Sequence, residues 1–104
     1  MSNPEKLEPA RLEQEIAKLE GWALQNGRLA RDFKFKTFVE AFGFMTGIAL
    51  HAEKLNHHPD WSNSYNKVHV ELSTHSAGGI TTLDVQLAEK INALYRVHQG
   101  MMIR

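Results

Sequence analysis

The chain has no cysteine in its 104 residues, which excludes disulfides and thiolate chemistry and fits a reducing compartment. It has no excess charge of either sign. Twelve Lys and Arg balance twelve Asp and Glu, so no bulk positive field draws in nucleic acid, and direct DNA or RNA contact is not expected. No apolar run approaches the ~18 residues that a membrane span needs, and the opening MSNPEKLEP lacks the basic-then-apolar pattern of a secretion signal. Internal repeats and low-complexity linkers are missing too. What remains is 42% hydrophobic and 23% charged, ordinary proportions for a globular protein. The expectation is a single domain over residues 1–104, soluble and cytoplasmic (nuclear as well in a eukaryote). A core this small is often supplemented by self-association, so a homo-oligomer, dimer or tetramer, is also expected.

Leu7 to Glu20 reads as a helix, with Pro9 in its first turn, Leu12, Ile16 and Leu19 at helical spacing, and Gly21 as a stop. Trp22 to Phe35 reads as a hairpin about Asn26-Gly27, the preferred pair where both central residues of a tight turn need positive φ. Trp22 and Leu24 alternate on its near side. Leu29, Phe33 and Phe35 alternate with Arg28, Asp32, Lys34 and Lys36 on the far side, where Arg31 interrupts the apolar series.

Thr37 to Asn56 predicts the longest helix. Thr37 and Glu40 make a capping box, and Phe38, Ala41, Phe42, Met45, Ile48, Ala49, Ala52 and Leu55 trace a broad apolar stripe. Gly43 and Gly47 suit close approach of a neighbour, and Phe44, off the centre of the stripe, is a candidate interface residue. Pro59 ends this helix. Trp61 to Tyr65 is then a short strand, Asn66-Lys67 a turn, and Val68 to His75 a strand. In that strand Val68, Val70, Leu72 and Thr74 oppose His69, Glu71, Ser73 and His75. After the loop Ser76 to Gly79, Thr81 or Thr82 caps a last helix through Tyr95. Leu83, Leu87, Ala88, Ile91, Leu94 and Tyr95 form its core side, and Val97 to Arg104 is a frayed tail. The order α-β-β-α-β-β-α buries every stripe if the four strands form one antiparallel sheet with the helices on one face. The fold class is α+β.

The densest chemistry lies between Glu53 and Asp84. Five of the six histidines fall between His51 and His75, and histidine is the side chain that exchanges protons near neutrality. The long helix delivers His57 and His58 at its C-terminal end, where free carbonyls and the helix dipole favour a positively charged ring. His75 lies at a strand end, on the polar side. If the two ends meet, three imidazoles converge in one pocket without a metal. A zinc site is not expected, because adjacent histidines at a helix end point apart and only Glu53 with His57 has the i, i+4 spacing. His51 and His69 read as packing or surface residues, and His98 as part of the tail. Trp61 and Tyr65 are either a wall for a flat ligand or hairpin core; Tyr65 leans to core, and Trp61 fits both equally.

The spacing Glu53, His57-His58-Pro59, Tyr65, His75 and Asp84 resembles the signature of the pterin-4a-carbinolamine dehydratases. FGFM at 42–45 and HHPDWSNSYNKVHVELSTH at 57–75 are similar to it as well, and the resemblance runs from about Phe33 to Tyr95. It implies helices packed on a four-stranded antiparallel sheet. It also implies loss of water from a 4a-hydroxytetrahydropterin to give the quinonoid dihydropterin, which recycles the pterin of aromatic amino acid hydroxylases. The pterin would be the substrate, with no further cofactor. His57, His58 and His75 would be the catalytic residues, with His57 and His75 the acids on opposite faces of the ring and His58 chiefly holding substrate. Glu53, Asn56, Trp61, Ser73, Thr74, Ser76 and Asp84 would bind substrate, although Glu53 or Asp84 could instead orient an imidazole. Animal members also act as dimerisation cofactors of a homeodomain transcription factor through a helical surface. Here that surface would lie around Phe44 and Gly47, so the expected protein partners are a hydroxylase or a transcription factor.

Overall fold

Asn26 and Gly27 turn the chain tightly, both at positive φ (52° and 78°), and bring β1 (Ala23–Gln25) against β2 (Arg28–Lys34). The computed structural model describes residues 4–100. Around this hairpin it places α1 (Pro9–Lys18), α2 (Phe38–Leu55), β3 (Asp60–Ser64), β4 (Lys67–Leu72), a 3₁₀ turn (His75–Ala77) and α3 (Thr82–His98). The strands form one sheet in the order β1-β2-β4-β3, with every neighbouring pair antiparallel. The expected α+β order is therefore the observed one. On one sheet face Leu29, Phe33, Val68, Val70 and Leu72 are buried with Ile48, Leu87 and Ile91 of the helices. No helix among the described residues is long and apolar enough to cross a membrane.

The long helix faces the sheet differently from the expected stripe. Its buried residues are Ala41, Phe44, Ile48 and Ala52, whereas Phe38 and Phe42 remain 46% and 55% exposed. Phe44 is thus core and not an interface residue. Its ring packs 4.8 Å from that of Phe33 and 4.9 Å from that of Phe35. Apolar residues surround most of this helix, so periodicity alone does not select a face; the aromatic side chains of β2 and α3 do. Gly47 allows the expected close approach, because a Cβ there would meet Leu94 at 3.2 Å. The capping box is offset: Thr37 accepts from the Glu40 N–H, but the Glu40 carboxylate takes the N–H of Lys36.

Other boundaries shift for local reasons. The second hairpin turns at Tyr65-Asn66, one residue early, because the Asn63 amide donates to the carbonyls of Tyr65 and Lys67 while Asn66 bonds Phe35 across the sheet. Tyr65 is left at φ 51° and 64% exposed, not in the hairpin core. Leu24 is exposed too, while Trp22 is buried. β4 stops at Leu72, after which Thr74 bridges to Gly79 and His75 opens the 3₁₀ turn. α3 runs to His98, whose ring meets Phe35 and Phe44 edge-on, so this histidine is packed rather than frayed. Residues 101–104 of the expected tail lie outside the described residues.

Arg31 interrupts the apolar series of β2 at a junction of three elements. Its guanidinium lies 4.7 Å from the Phe33 ring centre and 5.0 Å from that of Tyr95, and donates to the Glu20 carbonyl and Asn92 Oδ1 at 2.7 Å each. Trp22 Nε1 donates to the same Asn92 oxygen.

Candidate active site

Asn56 closes α2 in the left-handed region (φ 53°), so that its N–H bonds Glu53 O and the His57 N–H bonds Ala52 O. This is a Schellman ending, with asparagine in the place glycine usually takes. It separates the two adjacent histidines: His57 is turned inward and is only 8% exposed, while His58 stays at the surface.

His57 meets Asp84, which is fully buried in the first turn of α3, where the helix dipole favours a negative charge. His57 Nε2 lies 2.5 Å from Asp84 Oδ1. The other oxygen, Oδ2, accepts from the Thr74 hydroxyl at 2.8 Å and from the Thr81 N–H at 2.9 Å. Three donors converge on one carboxylate, an arrangement that the ionised form accepts. Nδ1 of His57 has no protein partner among the described residues. No buried side-chain nitrogen or oxygen there is left unbonded, so this atom reaches solvent. A ring held from behind with one nitrogen facing out can pass a proton to a bound ligand.

The remaining candidates form two further groups. His58 Nε2 is 2.7 Å from Glu53 Oε1, and these two residues line a depression of about 180 Å³ with Ala49, Ala52, Pro59 and Trp61. Glu53 and His57 share the i, i+4 spacing but do not pair, because the Asn56 turn presents His58 to Glu53 instead. His75 lines a second depression, of about 270 Å³, with Arg28, Ser73, Thr74, Gly78 and Gly79. His58 and His75 therefore line different depressions. Thr74 connects the groups, since it borders the His75 depression and bonds Asp84 behind His57. Asn56 and Ser76 are exposed.

Two residues escaped the sequence reading as parts of this site. Thr81 reads from sequence only as a cap, although Thr81-x-x-Asp84 has the spacing of the capping box that the structure contains. Arg28, read as a polar hairpin residue, reaches the His75 depression and also contacts Asp60 and Glu71 at 3.3 Å. No sequence pattern links positions so far apart.

Comparison with known proteins gives the family and the fold. A family model described as Pterin 4 alpha carbinolamine dehydratase matches residues 5–94. A protein of Rhizobium meliloti (strain 1021) named "putative pterin-4-alpha-carbinolamine dehydratase" is 55% identical over 91 residues, 86% of this chain and 88% of its own length. The crystal structure of a transcriptional coactivator/pterin dehydratase from Brucella melitensis superposes with a TM-score of 0.85 at 47% identity, covering 88% of this chain and 99% of that one. A pterin dehydratase-like RuBisCO assembly factor of the alpha-carboxysome superposes with a TM-score of 0.63 over 73% of this chain and 90% of its own; at 20% identity it shares the fold alone.

Proposed function

The chain belongs to the pterin 4 alpha carbinolamine dehydratase family, and from that premise we propose that it eliminates water from a 4a-hydroxytetrahydropterin by histidine acid–base catalysis. The observation that carries this reading is the buried Asp84 behind His57. Hydroxide is a poor leaving group and must be protonated as the C4a–O bond breaks. A protonated His57, with Nε2–H on Asp84, gives its Nδ1 proton to that oxygen. The N5 lone pair forms the C4a=N5 bond, water departs, and the N5 proton returns to a neutral imidazole. The elimination is redox-neutral, so it calls for no cofactor beyond the pterin substrate. Each such proton transfer contributes ~10²–10⁴-fold.

In this reading His75 serves the opposite face of the ring, while His58, braced by Glu53 and next to Trp61, holds the flat substrate. The product is the quinonoid dihydropterin that a reductase recycles for aromatic amino acid hydroxylases in the cytoplasm. The test is dehydration of the separate 4a epimers by His57→Ala and His75→Ala. Each variant is expected to lose at least tenfold in kcat, on opposite epimers. Unchanged rates in both would remove the assignment.

A second reading, protein docking, draws on a different surface. Phe38, Val39, Phe42 and Leu50 are exposed together on α2, and the Brucella relative carries the coactivator name beside the dehydratase one. This face takes the place of the expected surface around Phe44. It would serve self-association or a transcription-factor or hydroxylase partner independently of the histidines.

A further inference from the structure

We infer that the hydroxyls of Thr74 and Thr81 are positioning groups that fix which nitrogen of His57 faces the substrate. The inference rests on the dehydratase reading above and assigns Thr74 a place behind the catalytic ring rather than against the pterin.

It follows from counting protons. A threonine hydroxyl has one proton to give. That of Thr74 goes to Asp84 Oδ2, because a carboxylate accepts. The 2.8 Å contact between the Thr74 and Thr81 hydroxyls must then have Thr81 as its donor. Thr81 in turn accepts from the Leu83 N–H at 3.2 Å. Every direction in the chain is thereby set, running from Leu83 N–H through Thr81 and Thr74 to Asp84. The Thr81 N–H also donates to Oδ2, which leaves Oδ1 for His57. An acceptor-only carboxylate takes the proton of Nε2–H and disfavours the other neutral tautomer. His57 therefore keeps Nδ1 for proton exchange at the surface. Thr74 is only 6% exposed and Thr81 is fully buried, so neither hydroxyl is spent on solvent.

The experiment compares Thr74→Val, which keeps the side-chain shape but deletes the donor, with Thr74→Ser, which restores it. Thr74→Val is expected to lower kcat by about tenfold to a hundredfold, the rate equivalent of one hydrogen bond to a charged group. KM should stay within twofold (roughly, for a group that does not touch substrate). The pH dependence of kcat should move, and the serine variant should recover both. ¹⁵N NMR at a pH where His57 is neutral should show the proton on Nε2 in the native protein and a tautomer mixture in Thr74→Val. A Thr74→Val variant with native kcat and native tautomer would overturn the inference. So would a raised KM at unchanged kcat, which would put Thr74 against the substrate. If the valine variant fails to fold, the native spectrum still decides, because a neutral His57 with its proton on Nδ1 contradicts the relay. If the native protein does not dehydrate the carbinolamine, the functional reading falls, while the tautomer remains a separate measurement.

Discussion

His69 sits with Nδ1 2.7 Å from an oxygen of Asp32 and Nε2 2.8 Å from an oxygen of Glu71, and only the doubly protonated ring donates from both nitrogens at once. The Glu71 carboxylate first, and Asp32 second, raise its pKa above the ordinary 6.5, while His69 and Arg28 hold Glu71 below its ordinary 4.5. The signs define a window. A raised histidine pKa stabilises the fold fully below about 6.5, and this contribution is lost as pH rises through the folded value. A lowered glutamate pKa stabilises above about 4.5, and this is lost as pH falls through the folded value. Both contributions therefore coexist near pH 5–6. The melting-temperature difference between the native protein and His69→Ala is expected to be greatest there and to shrink as pH rises through the folded histidine value. Because the groups are partly exposed, the difference should be a few degrees at most. Calorimetry across that range checks it; a difference that grew with pH would contradict the pairing. The alternation of β4 placed His69 on the polar side from sequence alone, but Asp32 lies on another strand, 37 positions away. The same limit applies at the candidate site. His57, Asp84 and Thr74 were all legible as candidates, whereas the meeting of His57 with Asp84 depended on the Asn56 turn.

At the scale of elements, the order of helices and strands was readable because each segment carries its own punctuation: Asn26-Gly27, Thr37, Pro59 and Thr81. Helix faces were harder. Apolar residues on several sides of α2 left its burial to the partner surface, and Phe44 rather than Phe42 fitted between Phe33 and Phe35. Where Arg31 interrupts β2, the structure supplies carbonyl, amide and ring partners from α3 and the end of α1. Gly21, at φ 83°, makes room for it, since a Cβ there would fall 2.4 Å from Arg31 Nε. The far end of an arginine usually yields cheaply, but this one is pinned by two hydrogen bonds and two rings. Gly27 offers a control, having the same sign of φ (78°) and nothing within 4 Å of its Cβ position. Gly27→Ala is expected to cost about 1–2 kcal/mol from backbone strain alone. Gly21→Ala should cost about 1.5–3 kcal/mol more, for the charged hydrogen bonds it displaces. Urea midpoints for the two variants measure the excess, and equal midpoints would show that Arg31 moves aside freely.

For the molecule as a whole, the sheet and helices leave two contrasting surfaces. The sheet face away from the core carries Asp32, Lys34, Lys67, His69 and Glu71, a wetted surface held by ion pairs. The outward side of α2 carries Phe38 and Phe42, ring centres 5.8 Å apart, with Val39 and Leu50 nearby. An apolar patch left open to solvent in this way is the usual mark of a face meant to be covered. We expect a second copy to cover it. The native protein should sediment as a dimer or tetramer at micromolar concentration, and Phe42→Glu, which would place a charge inside the contact, should shift it toward monomer. Phe42 is not packed in the core, so the variant should keep its fold. A native protein that sediments as a monomer would reject self-association through α2. Turnover by the monomeric variant then carries separate information. If it stays native, one chain completes the site, and the depressions holding His58 and His75 both belong to a single substrate position. If it falls although the His57 tautomer is unchanged, a neighbouring copy shapes the cleft between those depressions, which accounts for their separation within one chain.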